Sequence, residues 1–86
     1  MVFFQYRILL IEDEPSFAGA LIDLLKEAHY EVDWASTGTE AFQLLEKERP
    51  HLVISDISLP DINGLQLLKY LQTHLQAVPP YLFLTG

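Results

Sequence analysis

The sequence predicts an α/β domain built on a parallel sheet, and three observations carry that prediction. Short apolar runs such as Arg7–Ile11 and Leu52–Ser55 suit strands buried on both faces. Stretches with apolar residues at helical spacing lie between them. Acids, prolines and turn residues mark the junctions, and strands alternating with helices of this length imply right-handed crossovers. At 86 residues, half of them hydrophobic, the chain has material for one packed domain.

The first strand is "RILLI", Arg7–Ile11, and it runs into Glu12-Asp13-Glu14-Pro15. Proline suits the first turn of a helix and acids suit its positive end, so a helix is expected over about residues 16–28. Phe17, Leu21, Leu24, Leu25 and Ala28 form its apolar face. "EVDWA", Glu31–Ala35, alternates and reads as the second strand. Thr37 and Glu40 have capping-box spacing, and a second helix runs from there to about Glu48, where Pro50 stops it. "LVIS", Leu52–Ser55, is the third strand and delivers Asp56. Pro60, Asp61, Asn63 and Gly64 read as a turn and helix cap, with Leu65, Leu68, Leu71 and Leu75 along one side of the third helix. After Pro79-Pro80, "YLFLT" is the fourth strand.

Composition excludes several functions. With 5 basic and 12 acidic residues, a formal charge of −7 makes nucleic acid a poor direct partner and favours a cation. No cysteine is present, so disulfides and thiolate metal sites are excluded. No signal peptide or membrane span is recognisable, and the expected location is the cytoplasm. A glycine-rich phosphate loop is absent. His29, His51 and His74 lack metal-ligand spacing, and Trp34 and the phenylalanines read as core or partly buried packing.

The stretch "ISDISLPDING" holds the chemistry. As a calcium loop it fails in both registers, because position 5 is Pro60 counting from Asp56 and Leu65 counting from Asp61. Asp56 closes an apolar strand at the sheet edge where such folds keep their ligands, and Glu12 and Asp13 close the first strand at that same edge. If the two strands are neighbours, three carboxylates converge. Their repulsion calls for a hard divalent cation such as Mg²⁺, next to a carboxylate able to act as a nucleophile. Glu14 reads as a helix-terminus acid alone.

"LLIEDEP", "VISDISLPDINGLQLL" and "LFLTG" together resemble the receiver domain of two-component response regulators, over Tyr6–Gly86. That resemblance implies a flavodoxin-like (CheY-like) sheet of order 2-1-3-4-5. It implies a phosphoryl group taken by Asp56 from a sensor histidine kinase, phosphotransfer protein or small donor. Mg²⁺ would be bound by Glu12, Asp13, Asp56 and the backbone carbonyl of Ser58, and Thr85 would swing its hydroxyl toward the phosphate. A receiver is a phosphoacceptor, not an enzyme in the ordinary sense, and often serves an output domain on a longer chain.

The resemblance covers β1-α1-β2-α2-β3-α3-β4, with α4-β5-α5 missing, so the chain reads as residues 1–5, a short extension, and 6–86, a partial receiver domain. The lysine that ends a receiver's fifth strand has no counterpart, since Lys26, Lys47 and Lys69 fall on helices as solvated charges. The uncharged fourth strand becomes an open edge with an expectation of self-association. His29 stands where the family often has glycine, and is strained if it turns left-handed. Two other classes compete. One is a receiver-like fragment acting as a non-catalytic protein-interaction module. The other is a small redox or phosphohydrolase enzyme, which would want a flavin or an acid in place of Ser58.

Overall fold

Four strands, Arg7–Ile11 (β1), Glu31–Ala35 (β2), Leu52–Asp56 (β3) and Tyr81–Leu84 (β4), form one parallel sheet in the computed structural model, which describes residues 5–84. The order is β2-β1-β3-β4, so β1 and β3 lie side by side. Their register pairs Leu10 with Ile54 and Ile11 with Ser55, which brings Glu12 and Asp56 out at one end. Helices Pro15–Glu27 (α1), Gly38–Lys47 (α2) and Gly64–His74 (α3) make the crossovers.

Because alternate strand residues point to opposite faces, the sheet separates two apolar clusters. Under α2 and α3 lie Leu9, Ile11, Ala35, Ala41, Leu45, Val53, Leu67 and Leu71. Under α1 lie Ile8, Leu10, Ala18 and Ile54, with Leu21, Ile22 and Leu25 partly buried against them. The continuous apolar runs of β1 and β3 are thereby explained, since each feeds both clusters.

The helix ends follow their sequence signals with two changes. Glu14 caps α1, its carboxylate accepting from the Ser16 and Phe17 N–H groups at 3.2 and 2.9 Å. Thr37 caps α2 as its spacing suggests, but the Glu40 carboxylate accepts from the Ser36 hydroxyl at 2.8 Å rather than closing a capping box. The complete box is at α3, between Asn63 and Gln66. At the end of α1, His29 has φ of +70°, and the His29 and Tyr30 N–H groups donate to Lys26 and Leu25, a Schellman closure normally given to glycine.

Several face assignments need correction. Phe17 and Leu24 are exposed, and Ile22 takes the inward place on α1. Leu65 is exposed too. It lies about 200° round the helix from Leu67, and the buried stripe is Leu67 and Leu71 flanked by Leu75. Trp34 is not core but 40 % exposed on the edge strand β2. Lys26, Lys47 and Lys69 are exposed on α1, α2 and α3, as expected.

The opposite end of the sheet is tied by one cation. The Arg7 guanidinium contacts Glu31 at 2.6 Å, Asp33 at 2.8 Å and Glu48 at 3.3 Å, joining β1, β2 and the end of α2. The hydrogen bond to Asp33 foremost, and the charge of all three acids, raise its pKa further.

Candidate functional site

Glu12, Asp13 and Asp56 converge. One carboxylate oxygen from each lies within 4.8 Å of the others. The adjacency of β1 and β3 that the sequence argument required is therefore met. Glu12 is 4 % exposed, Asp56 part-buried and Asp13 exposed. Burial pushes the Glu12 carboxyl above its usual range, and the charges of Asp56 and Asp13 push the same way. The Glu14 N–H, donating to Glu12 Oε1 at 3.1 Å, opposes them. Three hard oxygen donors from carboxylates at this range fit a divalent cation of the Mg²⁺ type.

The loop after β3 is shaped by two close approaches. Gly64 sits against the end of β3, where a Cβ would run into the Asp56 carbonyl oxygen, and its N–H donates to the Ile57 carbonyl. Ser58 is exposed in this loop and bridges Asn63 in antiparallel fashion. The second anchor is Asp61, which the sequence reading took only as part of a turn. Its carboxylate accepts from the Gly38 N–H at 2.8 Å and from the Thr39 N–H and hydroxyl at 3.0 and 2.8 Å. It thus caps α2 from 22–23 residues away, and Gly38 leaves room because a Cβ there would strike Ile62. Burial alone would raise the Asp61 pKa, but these donors outweigh it and hold the carboxyl below its usual range.

A further contact was also missed. The Trp34 indole N–H donates to the Glu12 carbonyl oxygen at 2.8 Å. No sequence spacing signals either contact, since each joins residues far apart in the chain. Thr85, the candidate switch residue, lies outside the described residues. Leu84, just before it, is the register partner of Asp56.

Among known proteins, the family model described as the response regulator receiver domain matches residues 8–86. The chain is 41 % identical over 84 residues to the transcriptional regulatory protein TrcR of Mycobacterium tuberculosis, covering 93 % of this chain and 31 % of that protein. It is 35 % identical over 80 residues to the alkaline phosphatase synthesis transcriptional regulatory protein PhoP of Bacillus subtilis, covering 93 % of this chain and 33 % of that protein. The chain thus spans about a third of the length of these relatives. Among solved structures, the chemotaxis response regulator CheY4 of Vibrio cholerae superposes with a TM-score of 0.87 at 28 % identity, over 93 % of this chain and 68 % of that one. The non-phosphorylated HemR receiver domain of Leptospira biflexa gives 0.82 at 35 % identity, over 92 % and 63 %. The fold is the CheY-like one, here with strand order 2-1-3-4. The chain belongs to the response regulator receiver domains, the phosphoacceptor modules that meet histidine kinases in two-component signalling.

Proposed function

We propose that Asp56 is the phosphoacceptor of this receiver, with Mg²⁺ held by Glu12, Asp13, Asp56 and the backbone carbonyl of Ser58. The observation that carries this reading is the approach of three carboxylates from two adjacent strand ends to within 4.8 Å. An Asp56 carboxylate oxygen attacks the phosphorus of a phosphohistidine or a small phosphodonor. The O–P bond forms, the P–N or P–O bond of the donor breaks, and the leaving group takes the electron pair. Glu12 and Asp13 hold the negative field that selects a divalent cation over a monovalent one. A Mg²⁺ held by these oxygens would supply positive charge against the transferring phosphoryl group.

Thr85 is proposed as the hydroxyl that senses the phosphate, supported by the pairing of Leu84 with Asp56. The kinase or phosphotransfer protein is the proposed donor, and an output domain on a longer chain the proposed recipient of the signal. The receiver is proposed to run from residue 6, with residues 1–5 as an extension, because β1 begins at Arg7 and the Tyr6 carbonyl already accepts from the Glu31 N–H. No helix among the described residues is long and apolar enough to cross a membrane. The cytoplasm is the proposed location.

One observation favours a second reading as a non-catalytic interaction module. A groove of about 500 Å³ beside α1 is lined by apolar side chains including Ile8, Leu25, Leu52 and Ile54. Intact-mass analysis with Mg²⁺ and acetyl phosphate separates the two readings. A single phosphate adduct, lost in Asp56→Asn, is the expected result. Folded protein that gains no adduct would sink the phosphoacceptor reading and leave the interaction module.

A further inference from the structure

We propose that Trp34 is a positioning residue of the acidic cluster and its built-in optical reporter, an inference that rests on the cation-binding reading of that cluster. The backbone ladder between β1 and β2 ends with the Glu12 N–H donating to the Ala35 carbonyl at 3.0 Å. The carbonyl of Glu12 is then taken by a side chain, the Trp34 indole N–H, at 2.8 Å. That carbonyl belongs to the peptide unit joining Glu12 to Asp13. A peptide unit is planar, so anchoring its oxygen restrains the plane, and with it ψ of Glu12 and the place from which Asp13 starts.

Glu12 is consequently held at its N–H, its carbonyl and its carboxylate, the last by the Glu14 N–H at 3.1 Å. Such restraint has a reason. A carboxylate 4 % exposed, facing two others, would otherwise relax toward water. Trp34, by contrast, remains 40 % exposed, so its indole gains less from burial than a core tryptophan would. Its position is explained by the bond it donates. Restraint that keeps the acids together is pre-organisation for binding a cation.

Trp34 is the sole tryptophan of the sequence, so its emission reports this peptide alone. Titration of the 86-residue chain with Mg²⁺, followed by calorimetry and tryptophan emission together, tests the proposal. In the wild type the emission is expected to change with the calorimetric midpoint, and Asp13→Asn to abolish both signals. Trp34→Phe keeps an aromatic ring and removes the donor. It is expected to weaken Mg²⁺ binding by about three- to tenfold while the circular dichroism spectrum stays that of the wild type, the size of effect a lost net hydrogen bond gives. Equal affinity in wild type and Trp34→Phe would overturn the positioning role and leave the phosphoacceptor reading standing. Wild type that takes up no Mg²⁺ would overturn both. Should Trp34→Phe fail to fold, wild-type emission unmoved by Mg²⁺ that calorimetry shows to be bound would overturn the proposal.

Discussion

Asp61 shows how a single residue can serve an element that its local sequence does not announce. Its three accepted bonds cap α2 across the β3–α3 loop. Asp61→Ala is expected to lower stability by about 1–2 kcal/mol in denaturant melts. Because the folded carboxyl is held below its ordinary value of 3.8, the ionised form contributes fully above that value and is lost as pH falls through the folded one. The stability gap between wild type and Asp61→Asn should therefore narrow below about pH 4, and a gap constant from pH 6 to pH 3 would show that charge is not what caps the helix. His29 is the converse case, a strained residue visible in the sequence. At φ of +70° it occupies the left-handed position that closes α1, and His29→Gly is expected to stabilise by about 0.5–1 kcal/mol. Chemical roles were legible where neighbours in sequence supply them, as with Glu14 capping its own helix. The roles of Asp61 and Trp34 were not, because their partners are 22 and more residues away.

At the scale of elements, strands read more clearly than helix faces. β1 and β3 announce themselves because burial on both sides leaves their inner positions apolar, Ser55 excepted. The bounds of α1 and α2 fall within a residue of those expected, but Phe17, Leu24, Ala28 and Leu65, expected on apolar faces, are exposed. Helical spacing allows more than one apolar stripe, and only the neighbouring sheet decides which is buried. The β3–α3 loop was read as a turn, and its depth was not legible. Gly64 approaches the last residue of β3 so closely that a methyl group has no room against backbone. Gly64→Ala is accordingly expected to lower the melting temperature by several degrees, the effect of a loss of about 1–2 kcal/mol in a domain of this size. It should also weaken Mg²⁺ binding, since the displaced atoms are those of Asp56 and Ile57. Retention of wild-type melting and affinity would show that the loop yields freely.

For the whole molecule, the convergence of Glu12, Asp13 and Asp56 was legible only on condition that β1 and β3 are neighbours, and the sheet order meets that condition. Strand order is a property of the packed sheet, and the resemblance to receivers supplied it where periodicity could not. Among the described residues β4 pairs with β3 on one side only, and Leu82 on it is 52 % exposed. The 86-residue chain alone is therefore expected to show concentration-dependent self-association by light scattering, reduced by Leu82→Lys. The unequal clusters on the two faces of the sheet have a consequence in time as well as in space. α1 contributes one fully buried residue, Ala18, whereas α2 sets one leucine, Leu45, and α3 two, Leu67 and Leu71, deep in the other cluster. Amide protons of α1 should exchange with solvent through smaller openings than those of α3. Since Asp13 lies at the threshold of α1, a cation gripping the acids would also fasten the looser half of the molecule, and exchange would slow from Ser16 onward.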